Sequence, residues 1–136
     1  MFLDASIIVA NLLEEPEAPS IRALLVDESE VVTSPLALFE ASMRLAAVKG
    51  FRIDEGYRIV RDFLDDARIR VVAIDDTVGR IAHACAAVYH RSTRHPARLN
   101  MGDCFAYASA RAAGMKLAYK GDDFGHTDIE GQRFGS

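Results

Sequence analysis

The chain has 136 residues, half of them apolar, and its 16 Lys and Arg against 20 Asp and Glu leave a net charge of −4. That length suits one domain, residues 1–136, able to bury a sizeable core without disulfides. The negative balance argues against general avidity for nucleic acid, which needs clustered Lys and Arg. Asp4 interrupts the only apolar start, so neither a secretory signal nor a membrane span is expected, and Cys85 and Cys104 fall inside helical patterns as small reduced core residues. A cytoplasmic protein is the expectation.

In chain order, "MFLDASIIVANLL" opens with a short apolar strand ended by Asp4, and continues as a helix that Asp4 or Ser6 is suited to cap. Glu14, Glu15, Pro16 and Pro19 break that pattern, and residues 20–26 resume it as a second helix. "EVVTSP" reads as a β-branched strand stopped by Ser34 and Pro35; Pro35 then opens a helix to about Lys49, with Gly50 beyond its end. Residues 54–67 are helical, 69–74 ("IRVVAI") form a continuous apolar strand, and 77–89 are helical again.

The segment between Asp76 and Asp103 holds no acid, while Arg80, Arg91, Arg94 and Arg98 fall there with three histidines; alone it reads as a solvated helix end and loop. Residues 100–113 form a helix capped by Asn100 and ended by Gly114, "KLAYKG" is the last clear strand, and "EGQRF" suits an edge strand. Strands alternating with helices imply an α/β fold, three α/β/α layers around a mostly parallel sheet of four to five strands.

Ligands of such sheets bind where the strands end and the following helices begin. Asp4, Glu40, Asp103 and the pair Asp122 and Asp123 all fall on that edge. Each has a plain structural explanation: Asp4 as a cap, Asp103 in a capping box with Asn100, Glu40 paired with Arg44 at i+4, and the 122–123 pair as a turn former. Their neighbours, Phe2 and Leu3, Leu36 and Phe39, Cys104 and Phe105, are wrong for exposed caps. Half-buried carboxylates that converge repel one another unless a cation neutralises them. A set of oxygen donors without Cys or His suits Mg²⁺ or Mn²⁺ rather than zinc.

"MFLDAS", the Glu40 helix, "LNMGDCFAYASA" and "LAYKGDDFGHTDI" together resemble the PIN-domain ribonucleases, most closely the VapC toxins of type II toxin-antitoxin systems. The likeness spans almost the whole chain. It implies a small α/β/α fold with an acidic pocket that binds Mg²⁺ or Mn²⁺ and cleaves tRNA or rRNA by water attack on a phosphodiester. Carried across, Asp4, Glu40 and Asp103 match the first three acidic positions; Asp123 is favoured for the fourth, with Asp122 as a helper. Ser6 stands where the family commonly has a small hydroxyl residue, and "DAS" in place of the usual "DTS" is a mild departure. Beside this resemblance Arg91, Arg94 and Arg98 read as backbone-phosphate contacts. The family also implies a cognate VapB-type antitoxin whose C-terminal tail covers the groove, and frequent homodimers. The apolar faces of residues 20–26 and 53–64 suit either partner, or simply the core.

Three other readings compete. A receiver-like phosphoacceptor domain has similar length and strand-end acids, and Asp75 and Lys120 fit it superficially, but Asp4 lacks the acidic neighbour that it needs and Glu40 and Asp103 are left without a role. A haloacid-dehalogenase-type phosphatase fails because "DAS" lacks a second Asp. A catalytically inactive PIN domain that only binds RNA or protein is the third reading.

Overall fold

The computed structural model describes residues 1–135. The chain runs through β1 (Phe2–Leu3), α1 (Ala5–Leu12), α2 (Ala18–Asp27), β2 (Val32–Thr33), α3 (Pro35–Lys49), α4 (Ile53–Asp66), β3 (Arg70–Val71), α5 (Asp76–Tyr89), α6 (Met101–Ala113), β4 (Leu117–Lys120) and β5 (Gly131–Phe134), with 3₁₀ turns at Arg91–Thr93 and Asp123–His126. The strands pair in parallel throughout, in the order β3-β2-β1-β4-β5. Phe2 is in register with Val32 on one side and Leu117 on the other.

Successive strand residues face opposite sides of a sheet, and β1 divides the core accordingly. Phe2 packs with Val32, Leu117, Cys85, Cys104 and Tyr107 beneath α5 and α6, whereas Leu3 packs with Ile7, Ile8, Ile21, Leu45 and Leu64 beneath the first four helices. These are the three layers that the sequence implies. The chain steps from β1 outward to β3, then returns to start again at β4 on the other side of β1. Strand order therefore reverses between β1 and β4, and a crevice opens above their carboxyl ends.

Local chemistry fixes where the helices that frame this crevice begin. Asp4 caps α1 by accepting the Ser6 N–H, Ser34 caps α3 by accepting the Ala37 N–H at 3.1 Å, and Pro35 occupies the first helical position, where its missing N–H costs nothing. Asn100 and Asp103 cap α6 reciprocally: the Asp103 N–H reaches Asn100 Oδ1 at 2.8 Å and the Asn100 N–H reaches Asp103 Oδ2 at 3.0 Å.

Two local expectations are corrected. Pro19 does not break the chain before α2; it lies in that helix's first turn, a position that tolerates proline. The apolar run at 69–74 yields a strand of only two residues, because β3 is an edge strand and its partner β2 ends at Thr33, where Ser34 turns the chain into α3. Val72 adds one more bond to Thr33, and Ile74 turns to pack against α5 and α6. Among the described residues no helix is long and apolar enough to cross a membrane.

The arginine-bearing segment is closed on itself. A parallel bridge joins His90 to Leu99, the Arg91 N–H donates to the Leu99 carbonyl at 3.0 Å, and the Leu99 N–H donates to the Tyr89 carbonyl at 2.9 Å. Within it Arg94 and Arg98 adopt left-handed backbone, at φ 64° and 49°.

Candidate active site

The crevice is a cleft of about 820 Å³ whose lining includes Asp4, Ser6, Glu40, Asp103, Glu15 and Lys120. Asp4 leaves β1 with its own N–H held by the Ala118 carbonyl of β4 at 3.0 Å. Its Oδ2 accepts the Ser6 hydroxyl at 2.6 Å and the Ser6 N–H at 3.1 Å, and Ser6 Oγ in turn accepts the Lys120 N–H at 3.0 Å. Ser6 thus locks the Asp4 carboxylate to the end of β4. Glu40, in the second turn of α3, lies against the first turn of α6, where a Cβ at Gly102 would meet the flexible end of its side chain, 2.6 Å from Oε1. Asp103 gives Oδ2 to the helix cap, and among the described residues Oδ1 has no hydrogen-bond partner.

These three acids feel one another. Burial pushes the Glu40 carboxyl up to about 7, helped by the charges of Asp4 and Asp103. Burial also lifts Asp103 to about 6 against the pull of its Asn100 hydrogen bond, with Asp4 and Asp123 adding to the rise and Arg91 opposing it. Asp4, almost wholly buried, is raised as well, chiefly by loss of water. Loss of water is the larger cause for all three, and the charge of neighbouring carboxylates adds to it.

Asp123, the expected fourth acid, is not part of the cleft lining and follows β4 through a sharp turn. Gly121, at φ 101°, bends the chain sharply out of β4, in a conformation that side chains rarely adopt. Asp122 then points to Arg133 of β5 and pairs with it, while Asp123, first residue of the 3₁₀ turn, acts on both Asp4 and Asp103. Of the three arginines, Arg91 is the one whose charge reaches Asp103; Arg94 and Arg98 are exposed farther along the loop. Glu40 has no ion pair with Arg44 among the described residues, so the surface-pair explanation for it lapses. Cys104 and Cys85 are buried and free, and burial raises both thiols.

Sequence reasoning overlooked a bracket at one wall of the cleft. Lys120 Nζ pairs with Glu15 and lies 3.0 Å from Glu17 Oε2, so the two acids after α1 hold its cation beside Asp4. In the sequence Glu15 and Glu17 look like turn residues, and nothing local ties them to a lysine more than a hundred positions away. Asp75, by contrast, caps α5 through the Val78 N–H and lines a separate depression with Glu30 and Arg70. The strand-end acid that a phosphoacceptor would use is therefore not in this cleft.

An all-parallel α/β/α domain with carboxylates gathered where its strand order reverses defines a class of acid-site domains, and comparison narrows it. The PIN domain family model matches residues 1–130. A VapC ribonuclease of Rhizobium meliloti is 40% identical over 139 aligned positions, covering 94% of this chain and 98% of that protein. The chain belongs to the PIN domain family, among its VapC ribonucleases. Its fold is also that of Mycobacterium tuberculosis VapC20, a sarcin-ricin loop cleaving toxin (TM-score 0.73, 17% identity, 94% of this chain and 95% of that one). A second likeness is to VapBC2 of Rickettsia felis bound to a DNA fragment from its promoter (TM-score 0.72, 14% identity, 98% and 97% covered).

Two outcomes follow from the geometry. Glu40 and Asp103 bind protons in the folded protein at pH values where an unfolded chain has released them, so stability of the metal-free protein should fall as pH rises from about 5 to 8. Urea midpoints in EDTA will show this slope, and Glu40→Gln should flatten it and stabilise the protein at pH 8. Gly102→Ala should displace the flexible end of Glu40 and leave stability within about 1 kcal/mol, while RNA cleavage drops about tenfold; a variant that melts and cleaves like the parent would show that this close approach is unimportant.

Proposed function

We propose that the chain is a metal-dependent endoribonuclease toxin that cleaves a phosphodiester of tRNA or rRNA and is neutralised by a cognate VapB-type antitoxin. The observation that carries this reading is the convergence of Asp4, Glu40 and Asp103, each raised by burial, on one cleft at the carboxyl edge of the sheet. Kinship with VapC ribonucleases supports ribonuclease chemistry there.

The donors suit Mg²⁺ or Mn²⁺. All are carboxylate oxygens, without the Cys or His that a zinc site draws on, and a hard ion of this kind keeps several of its waters. Asp4, Asp103 and Glu40 would hold it, with Asp123 as fourth acid. When bound, such an ion offsets phosphate charge and acidifies water. Ser6 keeps the Asp4 carboxylate in one orientation through its 2.6 Å hydrogen bond. Without a metal the Glu40 carboxyl is raised to about 7 by burial and its acidic neighbours, and a bound cation would favour its ionised form. Arg91, Arg94 and Arg98 bind the RNA backbone beside the acids, and RNA preference arises from that groove rather than from the reacting atoms.

An antitoxin segment has a fitting seat. An apolar groove of about 690 Å³ runs between α3 and α4, lined by Leu38, Phe39, Met43, Ile53 and Tyr57, and Phe39 and Met43 line the acid cleft as well. Phe39 and Ile53 are each 58% exposed, a cost that a covering peptide would remove. A tail laid there reaches the acids at its end, where an arginine would meet their charge. The relatives of known structure include toxin-antitoxin complexes, one from Klebsiella pneumoniae. We assign the protein to the cytoplasm as a single domain that forms homodimers.

The decisive experiment is cleavage of total RNA by antitoxin-free protein with Mg²⁺ or Mn²⁺, beside an EDTA control and Asp103→Asn. Discrete fragments are expected from the parent protein alone with metal, and loss of about a hundredfold or more in the variant; RNA left intact under every condition would favour a domain that only binds. Replacing Arg91, Arg94 and Arg98 together by Ala should weaken RNA binding and reduce its salt slope by about two to three, which filter binding at several salt concentrations will report.

A further inference from the structure

Asp128 belongs to "HTDI", a part of the sequence that the function above leaves without a role. Its Oδ1 accepts the Tyr107 hydroxyl of α6 at 2.7 Å and the Tyr89 hydroxyl at the end of α5 at 3.2 Å, and forms an ion pair with the Arg111 guanidinium at 3.4 Å. Arg111 also donates to the Tyr107 hydroxyl at 3.0 Å and lies over that ring, 5.1 Å from its centre. An isolated surface ion pair contributes little; two hydroxyl donors joined with that pair in a shared network set a position.

What they position is the turn that carries Asp123. Between Asp123 and Asp128 the chain has little freedom: Phe124 is buried against Tyr119, Thr127 donates both its N–H and its hydroxyl to the Phe124 carbonyl, and the Gly125 N–H closes on the Asp122 carbonyl. The other end of the clamp is on α6, where Asp103, Tyr107 and Arg111 recur every four residues and so share one face. One helix therefore presents Asp103 to the cleft and, one and two turns later, grips the segment that follows Asp123. We infer that Asp128 is a positioning residue that, through Tyr107 and Tyr89, fixes Asp123 relative to Asp103 and so sets metal affinity. Asp128 is not a further ligand, because it lines a separate depression with Arg111, Gly114 and Glu130 and not the acid cleft.

This inference rests on the metal-dependent reading above, and the test separates the two. Mn²⁺ binding to the antitoxin-free chain is measured by titration calorimetry or by the EPR signal of free Mn²⁺, for the parent, Asp128→Ala, Asp128→Asn and Tyr107→Phe, with melting temperatures alongside. Asp128→Ala should weaken Mn²⁺ binding on the order of three- to tenfold and raise by the same factor the Mn²⁺ needed for half-maximal RNA cleavage, with the parent rate restored at saturating Mn²⁺. Asp128→Asn, which keeps an oxygen acceptor, should recover part of the loss. If Asp128→Ala fails to fold, Tyr107→Phe, which removes one donor and keeps the ring, decides by the same criterion. Variants that melt earlier yet bind Mn²⁺ like the parent overturn the positioning role alone, whereas a parent protein that binds no Mn²⁺ overturns both readings.

Discussion

Burial of carboxylates in the cleft beside the ends of β1 and β4 is the constraint around which the rest of this structure is arranged. Asp4 is almost wholly buried, and Glu40 and Asp103 are each lifted by burial and by the charge of their neighbours. Left to themselves such groups would swing toward water or take up protons. The fold removes the first option. Ser6 ties Asp4 to β4, the capping box holds one oxygen of Asp103, and α6 lies against Glu40 at Gly102. Unfavourable electrostatics are thus carried by the scaffold, and the two core layers on either side of β1 supply the stability that tolerates them.

The acids also show how local and distant structure share one residue. Asp103 is both a helix cap and a member of the cleft, one oxygen for each. Asp4 combines the same two duties through Ser6. The structural and chemical explanations of these residues, which compete when the sequence is read alone, turn out to be compatible. A cap needs one acceptor atom, and a carboxylate has two.

The parts of the fold that could be read from the sequence were those written in short-range chemistry. Ser34 with Pro35, Asn100 with Asp103, and Gly114 mark helix ends by interactions within four residues, and the alternation of apolar strands with periodic helices implies a parallel layered sheet. What escaped reading depends on tertiary pairing. The 69–74 run is apolar enough for six strand residues, but β2 offers a partner for only two of them. Pro19 looks like a breaker until α2 is seen to begin one residue before it. The Glu15, Glu17 and Lys120 bracket and the Asp128 clamp join positions that no sequence spacing relates. The cleft's acids were legible because the strand-end rule places them; their supports were not, because no such rule exists for them.

The loop that precedes α6 has one more implication. Arg94 and Arg98 sit in left-handed backbone that glycine or asparagine would adopt more easily, and the bridge between His90 and Leu99 holds the loop in that shape. Backbone freedom there is surrendered during folding, so little remains to be lost when a ligand arrives. The backbone positions of Arg91, Arg94 and Arg98 are thereby set relative to one another, so that on the proposed reading of these residues as phosphate contacts their long side chains start from a fixed frame.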